Sequence, residues 1–398
     1  MHGSEPGFDR LPAVLHELWP PPSRMSVRRG PMAGRLTRQY RILLSGGHPV
    51  YLLPRTRKAA VALRPSFRGR GRGKMRLIAG LQRTGLLQMA PLPLLVVSTP
   101  EGADSIVTVV GSVFPEVHDL AIRFGRQRFD RTTVLWLLDR AGVPLGVVKT
   151  SSTETSHASL EREFAAIVRR SVREVAGLEV PEPLAYFQWR TLNLLVLDAL
   201  VSDERQAQTT APVAQMLAFA GANGGLRETP LSRTAWARRL VVDISELRRP
   251  DEQQWLRTAF QQLLADCGHV VVEEGQWHGD WVPWNMTWRA GHVLLWDWEH
   301  YSAAALAGFD HLHFDAQDIR NQVGTSPAAQ RRWVERATAA LGGPWQQDPD
   351  QQRATLRAYL IEINVRYVRD RDQGLEPMVP RRGWGQPLID ELAGGIDT

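Results

Sequence analysis

From about residue 117 the apolar positions change period in a fixed order. Residues 120–124 (LAIRF), 132–138 (TTVLWLL) and 145–150 (LGVVKT) are short runs of aliphatic and β-branched residues, which predict strands. They are joined by a loop containing Gly125 and by the turn Asp139-Arg140-Ala141-Gly142. In residues 158–170 (ASLEREFAAIVRR) the period becomes helical, with Leu160, Phe164, Ile167 and Val168 on one face. Residues 180–200 (VPEPLAYFQWRTLNLLVLDAL) return to two strand-like runs. The local pattern therefore reads β-β-β-α-β-β.

After residue 210 helical spacing dominates: PVAQMLAFAGA, SRTAWARRLVVDISEL, DEQQWLRTAFQQLLADC, SPAAQRRWVERATAAL and DQQRATLRAYLIEINVRYVRD all carry it. Asp348–Asp350 suit the N-terminus of the last helix, where a side-chain oxygen caps free N–H groups. One strand pair, around 284–298, interrupts the helices. Before residue 113, YRILL, PVYLL, LPLLVV and SIVTVV predict strands, while RKAAVAL and MRLIAGLQRTGLL predict helices. The expected organisation is an irregular basic segment (1–38), a small α+β region (39–112), a β-rich lobe (113–200) and a helical lobe (201–398).

Composition bounds this picture. The 398 residues suit two or three domains, and 43% hydrophobic with 23% charged residues describe a globular chain. The single cysteine, Cys267, cannot form an internal disulfide. Glu5, Asp9 and Glu17 precede any apolar run, and residues 90–97 (APLPLLVV) are too short to span a bilayer. No transmembrane segment and a cytoplasmic location are expected. Charge is uneven: residues 1–100 hold 17 Lys/Arg and 3 Asp/Glu, a formal +14, which leaves −8 on the rest. Such a basic stretch makes contact with an anionic surface or nucleic acid through residues 1–100 the alternative partner reading. Within it, SFRGRGRGKM (66–75) fails as a phosphate-binding loop, because Arg68 stands where a glycine is required and Met75 follows the lysine. A solvated basic loop is the simpler reading.

The chemistry concentrates in residues 276–288, QWHGDWVPWNMTW. Asp280-x-x-x-x-Asn285 has the spacing of a phosphoryl-transfer loop, in which the aspartate orients the attacking hydroxyl and the asparagine reaches a magnesium ion. A hairpin follows, MTW-RAGH-VLLWDWE, and a turn centred near Gly291 would pair Asn285 with Asp297. Two carboxylates and an amide at one hairpin mouth are costly without a cation, and oxygen donors of this kind suit Mg2+. Lys149 closes an apolar strand, an unexpected place for an unpaired ammonium. His278 reads as a brace for the loop rather than a base. His311, His313 and Cys267 lack the spacing of a zinc site and read as ordinary helix residues. Six tryptophans in 277–298 read as core more readily than as a cage for a cation.

His278-Gly279-Asp280 with Asn285, followed by Trp296-Asp297-Trp298-Glu299, resembles the motif of aminoglycoside phosphotransferase and choline kinase-like proteins, which share a protein-kinase-like two-lobe α+β fold. The resemblance covers about residues 115–320 and leaves the basic N-terminal extension outside. It implies an ATP- and Mg2+-dependent kinase that phosphorylates a hydroxyl of a small molecule such as a sugar, an amino alcohol or an aminoglycoside. Asp280 would be the catalytic residue, and Asn285 and Asp297 the metal ligands. Lys149 would hold the phosphates, paired with Glu163 or Glu161. Main-chain groups near Asp198 and Leu200 would bond adenine, and Asp310 would brace the loop. The chain departs from the pattern in the glycine-poor segment GRQRFDR and in a long Trp298–Asp310 connection. A catalytically silent, nucleotide-binding relative is the other reading within the same fold.

Overall fold

The computed structural model describes residues 13–30, 37–45, 48–66, 72–124, 132–201, 210–373 and 388. In chain order its first elements are helix α1 (Val14–Leu18), strands β1 (Arg24–Arg29), β2 (Arg38–Ser45) and β3 (His48–Pro54), helix α2 (Arg72–Thr84), β4 (Pro93–Ser98) and α3 (Ile106–Val110). They are followed by β5 (Asp119–Arg123), β6 (Thr133–Leu138), β7 (Pro144–Ser151), α4 (Glu154–Ile167), α5 (Arg170–Arg173), β8 (Leu178–Glu179), β9 (Pro183–Trp189) and β10 (Leu192–Asp198). The expected order β-β-β-α-β-β is thus present as β5-β6-β7-α4-β9-β10.

The chain divides into two units, the first built from residues 1–164 and 181–201 and the second from 165–180 and 202–398. The first is organised on one nine-stranded sheet in the order β1-β4-β2-β3-β5-β6-β7-β10-β9. The strands before residue 100 therefore extend the sheet that carries Lys149 and form no sheet of their own. Alternation puts Ile42, Leu52, Leu120 and Ile122 on one face with α1, and Leu43, Tyr51, Leu53 and Ala121 on the other with α2. Residues 105–110, expected as a strand, form α3 instead: Ser105 caps it by accepting the Thr108 N–H. In α4, Val168 lies past the end and is exposed, and Glu163 takes its place on the buried stripe beside Leu160 and Ile167.

The second unit continues with α6 (Val213–Ala220), β11 (Arg227–Pro230), α7 (Ala235–Ser245), α8 (Pro250–Cys267), β12 (Val271–Trp277), β13 (Met286–Arg289), β14 (His292–Leu295) and β15 (Ser302–Leu306). Three long helices complete it: α9 (Phe309–Val323), α10 (Pro327–Gly342) and α11 (Pro349–Asp372). Sequence periodicity found one strand pair here. The structure adds a sheet β11-β12-β15 and a parallel pairing of β8 with β14. Each of these joins segments far apart in the chain, so neither leaves a local signal. Asp348 caps α11 in a capping box with Gln351. The middle of α11 is buried on all sides, and its charged groups are paired: Arg357 with Asp266 at 2.8 Å, Glu362 with Arg239 at 2.8 Å. The core around α11 is aromatic. Phe309 packs edge-on against Trp236, Trp277 and Tyr359, and Phe219 against Trp281 and Trp298. These tryptophans are buried packing residues.

Candidate active site

In the second unit β12 leads into residues 278–285, and β13-β14 return the chain to Asp297. Three interactions fix the loop. The carboxylate of Asp310, at the start of α9, accepts the His278 N–H at 2.8 Å and the Gly279 N–H at 3.1 Å. Arg366 of α11 donates to the Gly279 carbonyl at 2.6 Å while its guanidinium lies over the Trp277 ring, 5.1 Å from the centroid. The His278 ring accepts the Asp280 N–H on Nδ1 at 3.1 Å and packs against Trp298. Fully buried, that imidazole is driven down to about 3 by desolvation, so it stays neutral and can accept. Gly279 has φ +83°, and a Cβ there would sit 2.2 Å from the His300 carbonyl oxygen. No other residue fits.

The loop presents the Asp280 carboxylate between two donors. Asn285 Nδ2 lies 2.7 Å from Oδ2 and 3.1 Å from the Asp280 carbonyl. His313 Nε2 lies 3.1 Å from Oδ1. The Asp280 side chain is 29% exposed and His313 only 2%, so one face of the carboxylate remains reachable. Burial raises Asp280 to about 6, and the nearby Asp297 charge adds to the rise, while His300, Arg366 and the Asn285 bond act against it. His313 is pushed well below its usual range by burial and is neutral. Its Nδ1 lies 3.0 Å from the Tyr359 hydroxyl. An ionised Asp280 only accepts, which assigns the proton to Nε2 and leaves Nδ1 to accept from Tyr359.

The hairpin register differs from the expected one by half a residue. Met286 pairs with Leu295 and Arg289 with His292, so the turn centres between Ala290 and Gly291, both at positive φ. Asn285 consequently faces Trp296, whose N–H bonds its carbonyl at 3.1 Å. Asp297 comes one position later and bends the chain there, in a left-handed conformation (φ +77°, ψ +58°). Asp297 is close enough to Asp280, His278 and His300 to act on the charge of each. The Asn285 amide spends its nitrogen on Asp280, and its Oδ1 accepts no hydrogen bond among the described residues. An amide oxygen and a half-buried carboxylate could hold a hard cation that takes its other ligands from water and phosphate.

In the first unit Lys149 of β7 points at α4, with Nζ 2.7 Å from both carboxylate oxygens of Glu163. Their side chains are 10% and 3% exposed. The structure thus selects Glu163 over Glu161, which is exposed. Asp198 ends β10 with its N–H on the Glu182 carbonyl at 3.0 Å and its Oδ1 accepting the Glu182 N–H at 2.5 Å. Leu200 follows, half-buried. The segment GRQRFDR lies outside the described residues.

Sequence reading missed His313 and Arg366. Each reaches the loop from a distant helix, 33 and 87 residues from its partner. A histidine buried in a helix that starts with the bracing Asp310 was the one available signal for His313.

No family model matches the chain, and no curated protein matches it. Among solved structures it is similar to a thermostable mutant of aminoglycoside phosphotransferase APH(4)-Ia (16% identity, TM-score 0.46, 73% of this chain and 100% of that one). It is also similar to the amicoumacin kinase hAmiN in complex with AMP-PNP, Ca2+ and Ami (12%, 0.46, 72% and 92%). A third is the GDP complex of wild-type aminoglycoside 2'-phosphotransferase-IIIa (12%, 0.42, 72% and 97%).

Proposed function

We propose that this chain is an ATP-dependent phosphotransferase acting on a hydroxyl of a small molecule. The observation that carries the reading is the Asp280 carboxylate, held by Asn285 on one oxygen and His313 on the other. Oriented in this way, it can accept a hydrogen bond from a substrate O–H and take up its proton as the hydroxyl oxygen attacks. A carboxyl raised to about 6 is a better proton acceptor than an ordinary aspartate and is still largely ionised at neutral pH.

Asn285, through its Oδ1, and Asp297, through its carboxylate, would hold Mg2+. Bound there, the ion would neutralise negative charge on the phosphates during transfer. In the first unit, Lys149 would hold the α- and β-phosphates, with Glu163 keeping its ammonium charged and aimed. Main-chain groups around Asp198 and Leu200 would receive the adenine. His278, Asp310 and Arg366 touch no reacting atom; they hold the backbone that aims Asp280.

The test is a phosphate-transfer screen of the full chain with ATP and Mg2+ against sugars, amino alcohols and aminoglycosides. Transfer to at least one class, lost in D280A while thermal melting is unchanged, is expected. Transfer that survives D280A would remove Asp280 from the chemistry.

A further inference from the structure

Residues 18–100 contain 16 Lys/Arg and no Asp or Glu. Part of that charge gathers on one surface of the first unit. The exit of β3 is tied to α2 and the turn after it: Gln82 donates to the Pro54 and Thr56 carbonyls at 2.8 and 2.7 Å, and Gln88 to the Arg55 carbonyl at 2.7 Å. The Arg57 guanidinium lies beside Gly85, its Nε 3.3 Å from where a Cβ would stand. Arg55, Arg57 and Arg83 are therefore brought to the same end of α2, with Lys74 and Arg76 further along it. All five are exposed and none forms an ion pair among the described residues.

The same surface exposes apolar side chains. Met89, Leu77 and Leu86 are 75%, 65% and 58% exposed, the three highest values among the large hydrophobic residues described. Unpaired cations beside bare aliphatic and thioether groups are the two halves of an interfacial membrane site: the cations meet lipid phosphates and the apolar groups enter the acyl boundary. A duplex nucleic acid would use only the cations, on its phosphates, and would leave Leu77, Leu86 and Met89 without a role, whereas a lipid surface takes up both.

We propose that the α2 surface, Arg55, Arg57, Lys74, Arg76 and Arg83 with Leu77, Leu86 and Met89, docks the protein on an anionic lipid bilayer. The membrane is bound peripherally, since no described helix is long and apolar enough to cross one. This docking does not depend on the phosphotransferase reading.

The experiment is cosedimentation of the full chain with phosphatidylcholine vesicles, with and without phosphatidylglycerol, at low and high salt. Binding is expected only with the anionic lipid, weakened by salt. It should fall about tenfold or more both in L77S/L86S/M89S and in R57E/R76E/R83E, each checked for an unchanged melting temperature. Equal binding to neutral vesicles, or no binding to anionic ones, would overturn the proposal. So would anionic binding that L77S/L86S/M89S leaves intact and duplex DNA displaces, which would make the surface a nucleic-acid contact.

Discussion

His313 Nε2 lies 3.1 Å from Oδ1 of Asp280, and the same imidazole rests through Nδ1 on the Tyr359 hydroxyl. The contact gives the half-buried carboxylate a neutral donor of fixed direction. Its partner on the other oxygen is Asn285 Nδ2, which leaves Oδ1 of that amide for a metal, so His313 and Asn285 together fix both oxygens of the carboxylate.

Replacing His313 with leucine should therefore lower kcat about 10–100-fold and leave KM for ATP nearly unchanged. Glutamine, which can offer an N–H at a similar reach, should recover most of the loss. Steady-state kinetics of H313L and H313Q, with melting curves to confirm folding, check this. Equal kcat in all three proteins would make the contact irrelevant to turnover.

The pair Lys149–Glu163 is buried, so breaking it exposes the cost of a lone interior charge. E163A should destabilise the protein by about 3–5 kcal/mol, whereas K149M/E163L, which removes both charges, should recover much of that. Denaturant unfolding reads both. Both variants should also raise KM for ATP.

Gly279 is held at φ +83° with the His300 carbonyl oxygen 2.2 Å from where a Cβ would stand. G279A should displace the loop, with a lower melting temperature and a loss of turnover larger than that of H313L. A melting scan and an activity assay together check it.

His311 accepts from Trp345 Nε1 on Nδ1 at 3.1 Å, and burial and Arg336 lower it to about 4. Unfolded, the group titrates near 6.5, so the unfolded chain binds its proton first as pH falls. Its contribution to stability is present above pH 6.5 and is lost between about 6.5 and 4. H311Q keeps an acceptor for Trp345 without that titration. Its melting temperature relative to the unmutated protein should therefore rise as pH is lowered from 7.5 to 5. A difference that stays constant with pH would contradict the assignment.

How much of this was legible in the sequence follows from the range of each interaction. Asp280 and Asn285 are five residues apart, and that local spacing was enough to single both out, though not to anticipate the hydrogen bond between them. The β-β-β-α-β-β order was legible for the same reason, because alternating and helical periods are local. The hairpin was legible, but its register was misplaced by half a residue: the turn pivots between Ala290 and Gly291, and Ala290 adopts a positive φ that its identity does not advertise. Residues 105–110 were misread because a β-branched run favours strand until Ser105 caps a helix. His313, Arg366 and Tyr359 were not legible, since helices far along the chain deliver His313 to Asp280, Arg366 to the Gly279 carbonyl and Tyr359 to His313.

The central claim is that the Asp280 carboxylate performs the proton chemistry of an ATP-dependent transfer. Substituting asparagine keeps the size and shape of the side chain and one of its two acceptor oxygens, and removes the base. With ATP, Mg2+ and an acceptor from the screen, D280N should transfer phosphate about 10²–10⁴-fold more slowly than the unmutated chain while still binding ATP. Transfer at an undiminished rate in D280N would contradict the account.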